Sequence, residues 1–533
     1  MKNPFIFHEP EENNKFVLTS SKKEWKPEEK FKISRNLDEN EEYIKKKFSL
    51  PENNDIIIRK IMLKGNRKGF AVFIDGMVST DYVNSHIIET LLFIPLITDE
   101  DIKIKKEEII DRFIAHSQAQ AVEDPETVLE EINFGGCAVF IDGIDIAFSM
   151  DVRNWGHRSI DKPENEQTIY GPQEAYNEML RNNSALVRKI LKTEKLVCEG
   201  VKIGNVSKTR GVMMYIKDVT NENLVNEVRR RLEGINVDYI FAIEEVGTLV
   251  QDTKFSITNH ILATERPDRT ARYLADGRVA LLLNGSPNAL IFPTNAFELT
   301  HAASDAYMSS FFANTARVIR LIAMLLSVLL PGTYLATTLF HQEMIPTYLI
   351  YSISASRENV PFPSIVELIL MDFSFEMIRE AGLRMPGTIG STLGIVGGLI
   401  LGQAAVSAKI VSPIMIIIIA ITGIGSFATS NYTLGWTYRI LRLAFIVLGS
   451  CLGFYGIGIG VFIYSVYLAS LNSFGIKFLS PLPGNNIKKI KKSIFIEPLW
   501  DKQYRPDYLK PEDKVKEAKI SRSWIFNKAD KDD

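Results

Sequence analysis

Four long stretches without any Asp, Glu, Lys or Arg lie in the last two-fifths of this chain, and they constrain its fold more than any other feature. They are Leu321–Phe340, Met385–Ala408, Ile410–Tyr438 and Leu443–Ile476. A helix crosses the hydrocarbon core of a bilayer with about 20 apolar residues, so each stretch is long enough to span it. The first 310 residues contain no comparable stretch. The sequence therefore predicts a soluble N-terminal region followed by a multi-span membrane region.

The predicted fold class is an α/β soluble region of two subdomains followed by an all-α membrane domain. Two features set the boundaries between the parts: changes in composition along the chain, and the positions of the uncharged stretches. The predicted parts are a charged, mostly disordered tail (1–50), two soluble subdomains (51–195 and 196–310), a membrane domain with five or six embedded helices (311–478) and a charged cytoplasmic C-terminal tail (479–533).

The N-terminus and the cysteines indicate that the soluble region stays in the cytoplasm. Met1–Glu9 has neither an apolar core nor a small-residue cleavage site, so a secretory signal peptide is not expected. Cys137, Cys198 and Cys451 are far apart and form no CxxC pair, which is typical of a reducing compartment. The seven histidines are scattered, and no metal site or cofactor is predicted.

A short pattern occurs three times in the soluble region. Ala71–Gly76 recurs letter for letter as Ala138–Gly143, and Val279–Gly285 is a looser copy. Each is an apolar run that ends in Asp-Gly or Asn-Gly, which predicts a strand entering a tight hairpin. The aspartates could instead be catalytic, but the turn accounts for them fully.

The second soluble subdomain has a strand, helix and strand pattern that predicts a βαβ unit. The predicted elements are Gly211–Ile216, the amphipathic helix Asn221–Glu233 and the strand Val237–Ile243. Further helices are predicted at Lys105–Glu123 and Tyr176–Thr193. Three arginines at 229–231 could form a basic patch, although a solvated helix face is the commoner arrangement, and nucleic-acid binding is not predicted. No phosphate loop, nucleophile elbow or dinucleotide fingerprint occurs, so an enzyme has no positive support.

The helix predicted at Ser364–Ala381 is apolar but carries several charges. Asp372 and Glu376 share a stripe with Arg379 and Glu380, whereas Glu367 points elsewhere. Carboxylates at bilayer depth are costly unless they are paired or face water. The helix could lie in the membrane interface or line a polar cavity, and Glu367, Asp372 and Glu376 are candidates for an acidic pore mouth.

Basic residues favour an arrangement in which Ser364–Ala381 returns the chain to the cytoplasmic side. Every basic cluster except Lys409 then obeys the positive-inside rule. The 34-residue stretch after Arg442 would be about 51 Å long as one helix, too long for one crossing. It is predicted to form two short spans that turn near Gly453–Gly460.

The stretch Met385–Ala408 combines small residues with one amide, Gln403. Small residues allow helices to pack closely in lipid. One helical face has polar ends and an apolar middle, the profile of a pore with a hydrophobic constriction. The alternative is an ordinary packed helix with one interhelical hydrogen bond. The candidate pore-lining residues are Thr392, Val396, Leu399, Gln403 and Val406.

Several ordered motifs resemble those of the A subunits of GerA-type spore germinant receptors. They are Ser354–Pro363 (SASRENVPFP), Gly402–Val406 (GQAAV), Ile410–Pro413 (IVSP), Thr264–Asp268 (TERPD), Gly277–Ala280 (GRVA), Phe474–Gly475 and Leu479–Leu482 (LSPL). The resemblance runs from about residue 202 to 483. Asn359 and Lys409 depart from the commonest forms of the motifs.

This resemblance implies a multi-pass protein of the spore inner membrane with a cytoplasmic soluble domain. It implies a transporter-like B subunit that senses nutrient and a lipoprotein C subunit as partners. It also implies a homo-oligomer that forms a nutrient-gated ion channel, which would trigger germination by cation release. The stage V sporulation AF proteins are a related branch. The alternative is a non-conducting scaffold that docks the B subunit.

Overall fold

The computed structural model of the 533-residue chain describes most of both regions. The residues described are 16, 18–19, 31–64, 66–93, 119–153, 162–258, 260–384, 398, 400–482, 493–498 and 502–516.

The first unit is a five-stranded antiparallel sheet with the strand order β1-β2-β4-β5-β3. The strands are β1 (Ile56–Met62), β2 (Lys68–Ile74), β3 (Ala119–Val122), β4 (Cys137–Ile141) and β5 (Ala147–Met150). Among the described residues of this unit, helices α1 (Leu37–Lys47) and α2 (Pro125–Asn133) accompany the sheet, and consecutive helical turns occupy Thr80–Tyr82, Val83–Ile88 and Glu89–Phe93. Apolar side chains on both faces of the sheet are buried, as expected for a sheet covered by helices.

The second unit is another five-stranded antiparallel sheet, with the order β6-β7-β9-β10-β8. The strands are β6 (Leu196–Ile203), β7 (Thr209–Ile216), β8 (Leu262–Thr264), β9 (Val279–Leu283) and β10 (Ala289–Phe292). The helices are α3 (Leu180–Ile190), α4 (Glu222–Glu233), α5 (Ile243–Val250) and α6 (Pro267–Ala275).

The two units repeat one plan with a constant separation of 142 positions. Helix α2 begins at Pro125 and α6 at Pro267, and strands β4 and β5 precede β9 and β10 by the same number of positions. Gly135 and Gly277, which follow the two helices, both adopt positive φ, at 98° and 93°. Only glycine takes this conformation without cost, so the same turn is built twice. The soluble region is therefore a structural duplication.

The three turn motifs end strands β2, β4 and β9, as predicted. Their glycines, Gly76, Gly143 and Gly285, have φ values of 88°, 85° and 86°. Hairpins follow the second and third copies, because β4 pairs with β5 and β9 with β10. The first copy leads into helical turns instead, so the hairpin predicted there is wrong. Strand β2 already pairs with β1 and β4 on its two edges.

Other predictions for the soluble region are corrected by long-range packing. Residues 237–242 contain no strand and the sheets are antiparallel, so the predicted βαβ unit is wrong. The end of the helix predicted at Lys105–Glu123 is strand β3, and residues 105–118 lie outside the described residues. Residues 31–50, predicted as part of a mostly disordered tail with some helix near Asn40–Ser49, are folded. Helix α1 lies close to the predicted helix, and Leu37, Ile44 and Phe48 pack into the first unit.

The two units are joined by a buried arginine. The Arg188 side chain, 2% exposed, donates to Asp55 Oδ1 at 2.7 Å, Asn53 Oδ1 at 3.2 Å and the Leu196 carbonyl at 3.0 Å. Part of the predicted C-terminal tail also packs on the second unit. Leu509 is fully buried there, and the Tyr508 hydroxyl donates to Glu298 Oε1 at 2.7 Å.

The C-terminal region is a helical bundle. Its helices are α7 (Ser310–Phe340), α8 (Thr347–Arg357), α9 (Ser364–Arg384), α10 (Pro413–Phe427) and α11 (Tyr432–Ser470), together with a helical segment at 400–407. Among the described residues, α7 and α11 are long and apolar enough to cross a membrane, and α10 is a shorter apolar helix.

The bundle helices run back and forth between two ends. Helix α7 starts next to the second unit, and its last residue, Phe340, lies beside Gly453 of α11 at the far end. The far ends of α9 and α10 meet α7 near Tyr334, because Leu368 and Met415 pack in the same cluster. Helix α9 therefore brings the chain back toward the soluble units, in the direction predicted.

Helix α11 is a tight helical hairpin, as its length predicts. Gly453 has φ 60° and ψ −142° inside the helical stretch, where two helices meet at a kink. The two arms lie so close that a Cβ on Gly456 would be 2.2 Å from the Leu448 carbonyl oxygen. Small residues permit this approach. The predicted turn near Gly453–Gly460 is therefore confirmed.

Replacing Gly453 by alanine is expected to destabilise the bundle. A Cβ there would be 2.9 Å from His341 Cε1, and the backbone conformation itself costs a non-glycine residue about 1–3 kcal/mol. The matched control is Gly458→Ala on the second arm, where a Cβ meets nothing within 4 Å. That change should raise stability by up to about 1 kcal/mol through helix propensity. Thermal unfolding in detergent measures both variants, and equal midpoints would contradict the role of Gly453.

Candidate functional site

Five charged side chains meet inside the bundle, between α9 and α11. We call Asp372, Glu376, Arg379, Arg439 and Arg442 the bundle charge cluster. An Arg442 guanidinium nitrogen lies 3.1 Å from Asp372 Oδ1 and 2.6 Å from Glu376 Oε1. Glu376 also pairs with Arg379 at 2.6 Å and, more distantly, with Arg439 at 3.8 Å.

Helical spacing and aromatic rings position this cluster. Asp372, Glu376 and Arg379 follow one another at i, i+4 and i+7 along α9, so they share a face. Arg379 lies 5.2 Å from the centroid of the Phe375 ring, and Arg439 lies 4.5 Å from the Trp436 ring. These cation–π contacts help to hold the two guanidinium groups in place.

The cluster changes the interpretation of two predicted pore-mouth residues. Asp372 is 3% exposed and Glu376 is partly buried, and both carboxylates are paired within one chain. Three guanidinium groups face these two carboxylates, so the cluster carries no surplus of negative charge. Arg442 is ten residues inside α11 and is 2% exposed, so it is not a flanking charge of the kind the positive-inside count assumed.

Glu367, the third predicted pore-mouth residue, connects two of the sequence motifs. Its side chain is fully buried; Oε2 accepts a hydrogen bond from the Ser412 backbone N–H at 3.0 Å, and Oε1 lies 3.4 Å from Arg357 Nε. Ser412 is the residue before α10, so the carboxylate sits at the positive end of that helix. Arg357 belongs to the SASRENVPFP motif and Ser412 to IVSP, so Glu367 holds the two motifs together.

The two residues that depart from the commonest motif forms contact each other. Lys409 Nζ donates to Asn359 Oδ1 at 3.4 Å. Lys409 has φ 56°, an uncommon conformation for a residue with a side chain, directly after the 400–407 helix. The two departures are 50 positions apart in the sequence but lie side by side in the fold.

The candidate pore-lining residues are only partly described. Thr392, Val396 and Leu399 lie outside the described residues. The Gln403 side chain is exposed, and Val406 is partly buried. The 400–407 segment contacts α10 through its small residues. Gly402 is buried there, and a Cβ added to it would lie 3.7 Å from Ile416 Cγ2.

A second charged site joins the soluble region to the bundle, and sequence reasoning missed its acidic member. Asp305 lies in the short helical turn before α7 and is 2% exposed. Its carboxylate accepts from Arg317 Nε at 2.9 Å and from Arg320 at 3.0 and 3.1 Å. Arg317 also donates to the Ile494 carbonyl. Arg317 and Arg320 are three positions apart and therefore lie on one helix face. This spacing in the sequence indicates that the two arginines can share an acidic partner.

Three features of the described soluble residues concern metal ligands, a thiol and a group of arginines. The described residues contain no group of three His, Cys, Asp or Glu able to hold a metal. Burial raises the pKa of the Cys137 thiol to about 12, which makes it unreactive. The arginines at 229–231 pair with Glu199, Glu227 and Asp252, so they form a salt-bridged helix face.

Comparisons with known proteins agree with the motif resemblance. Residues 42–508 match the family described as Bacillus/Clostridium GerA spore germination protein. Spore germination protein KA of Bacillus subtilis is 35% identical over 88% of this chain and 86% of its own length. Spore germination protein GerLA of Bacillus cereus is 34% identical over 86% of this chain and 93% of its own length.

Two further matches concern one membrane protein and one solved structure. The uncharacterized membrane protein YfkQ of B. subtilis is 33% identical over 89% of this chain and 91% of its own length. The crystal structure of the N-terminal domain of the A subunit of the Bacillus megaterium spore germinant receptor GerK3 aligns with a TM-score of 0.38 and 26% identity, covering 50% of this chain and 97% of that chain. From the family match and the long relatives, the chain belongs to the GerA spore germination protein family.

Proposed function

We propose that this protein is the membrane-embedded A subunit of a nutrient germinant receptor in the inner membrane of a bacterial spore. It works with a transporter-like B subunit and a lipoprotein C subunit. Several copies assemble around a shared axis into an ion channel that opens in response to nutrient and releases monovalent cations. Membership of the GerA family supports the receptor role, and features of the bundle support the membrane and channel parts of the proposal.

Exposed aromatic side chains support the membrane placement, because they lie at both ends of the bundle. At the soluble end, Phe311 is 77% exposed and Trp436 is 44% exposed. At the far end, Tyr348 is 90% exposed and Tyr455 is 79% exposed. Such rings at two levels are typical of the two interfaces of a bilayer. Arg317 and Arg320 lie at the soluble end of α7, and the positive-inside rule then favours a cytoplasmic side for the soluble units.

The observation that carries the channel proposal is the exposed amide of Gln403. Its side chain makes no hydrogen bond within the part of the chain that the structure describes, and the helical segment around it is apolar. An unpaired amide facing lipid tails is costly, whereas one facing water or a second copy is satisfied. An oligomer that turns this face toward a water-filled axis meets that requirement.

Gln403→Leu tests this proposal. We expect potassium release from spores placed in rich medium to slow about tenfold, the effect of losing one interaction of about 1.4 kcal/mol with passing ions or water. The matched control is Ser465→Ala, which removes an exposed hydroxyl that bonds its own helix at Val461. Equal release rates for Gln403→Leu and the unmodified protein would remove this face from the pore.

The scaffold function is the second candidate, and the bundle charge cluster favours it. The three acidic residues predicted for the pore mouth are all paired within one chain. Their pore role stays a prediction, and it requires that the arginines move away when the channel opens. Ser407→Cys in a Cys451→Ser background distinguishes the two functions. A pore predicts disulfide-linked copies in membranes, and a scaffold that does not self-assemble predicts none.

A further inference from the structure

Among the residues of the soluble region that the structure describes, the loop between α5 and β8 holds the most exposed aromatic side chain. Phe255 is 93% exposed, and its neighbour Ile257 is 49% exposed. Lys254 precedes Phe255 and is also exposed. Burying an exposed phenylalanine side chain in apolar surroundings is worth about 1.5–3 kcal/mol, so an apolar partner would stabilise this loop.

The bundle fixes this loop beside the hairpin α11. Ser256 Oγ lies 2.8 Å from the Tyr467 hydroxyl, which also accepts a hydrogen bond from the Ile257 backbone N–H at 3.0 Å. Thr437 on the other arm donates to the Ile257 carbonyl at 2.7 Å. Adjacent Cα atoms are about 3.8 Å apart, so Phe255 lies close to the level of Tyr467.

The length of the second arm sets that level relative to a bilayer. Tyr467 is 14 residues after Gly453, which corresponds to about 21 Å along the helix. The hydrocarbon core is about 30 Å thick. When the Gly453 turn reaches the far side of the core, Tyr467 is still within the near leaflet. The loop held by Tyr467 is therefore at the depth of the lipid, outside the protein core.

We propose that the 252–258 loop inserts into the cytoplasmic leaflet and anchors the second unit on anionic lipid. Phe255 occupies the boundary between headgroups and acyl chains, and Lys254 contacts lipid phosphates. Aromatic and basic side chains prefer these two levels of a membrane. The inference rests on the membrane placement proposed above and is independent of whether the protein conducts ions.

A fluorescence experiment tests the anchor in nanodiscs of phosphatidylcholine and phosphatidylglycerol. An environment-sensitive label is attached to Thr253→Cys in a Cys451→Ser background, and lipids with quenchers near the headgroup are added. We expect the headgroup-level quenchers to reduce the fluorescence of this label, as for a probe at the interface. A label at Val447→Cys, 52% exposed on the first arm, is the reference for lipid exposure and is tested with quenchers along the acyl chain. A label at Met62→Cys in the first unit is the reference for exposure to water.

The outcomes separate the anchor from the membrane placement. If the Thr253 label behaves like Met62 while Val447 is quenched, the loop does not enter lipid and the inference is overturned. If Val447 is also unquenched, the membrane placement itself fails. Adding Phe255→Asp should abolish quenching at Thr253. Unchanged quenching would show that Phe255 does not anchor the loop. If the Thr253 label reports an apolar environment but is not quenched by the lipids, the loop contacts protein and not lipid.

Discussion

Replacing Arg442 by methionine is expected to lower the free energy of unfolding by about 3–5 kcal/mol, the usual cost of removing one partner from a buried ion pair. Arg442 is 2% exposed and lies 3.1 Å from Asp372, which is itself 3% exposed. Methionine keeps most of the apolar contact area but leaves the Asp372 carboxylate without its nearest cation. Thermal or denaturant unfolding of the detergent-solubilised protein measures the loss.

Two companion variants make this prediction specific. Arg384→Met removes an ion pair with Glu380 within α9, but Arg384 is 79% exposed, so the change should cost at most about 0.5 kcal/mol. Asp372→Asn in the Arg442→Met background should recover part of the stability, because the unpaired charge is removed. If Arg442→Met and Arg384→Met unfold alike, the bundle charge cluster does not stabilise the bundle.

The second large effect is expected at the junction between the soluble region and the bundle. Asp305→Asn should lower the free energy of unfolding at pH 7 by about 3–5 kcal/mol, because Arg317 and Arg320 lose a buried carboxylate that both contact. The matched control is Asp75→Asn, whose ion pair with Arg181 is 38–45% exposed and should matter little. A limited proteolysis assay of the 300–310 segment provides a local readout.

Because of the same carboxylate, the free energy of unfolding is expected to fall at acidic pH. Burial acts to raise the pKa of Asp305, but hydrogen bonds and charges from Arg320 and Arg317 outweigh it and lower the pKa below its ordinary value. A lowered pKa means that the unfolded state binds the proton more readily. The stabilisation is therefore present above about pH 4 and is lost as the pH falls through the folded-state pKa. Asp305→Asn should remove this part of the acid dependence, and an unchanged acid profile would contradict it.

Local sequence patterns predict the parts of this fold that depend on short-range physics. The turn glycines Gly76, Gly143 and Gly285 follow from the Asp-Gly and Asn-Gly pairs, and Asn221 caps α4 where the amphipathic pattern begins. Helix length alone predicts the hairpin at Gly453. These features need only a few neighbouring residues, so the sequence carries them directly.

Contacts between distant segments were not predictable in the same way. The strand expected at Val237–Ile243 has suitable residues, but β9 and β6 already flank β7 in the sheet. The sequence predicts Glu367 as a pore-mouth residue and does not reveal its partners, because Arg357 and Ser412 approach it only after α8, α9 and α10 pack together. The constant separation of 142 positions is visible in the third turn copy, yet only the matching sheets show that it extends over a whole unit.

Arg188 joins the first unit to the second, and Asp305 joins the second unit to α7. The second unit is also held to α11, through Ser256 and Ile257. A displacement of the first unit that is passed on to the second would therefore act on α7 and on both arms of α11 together, and not on one helix alone.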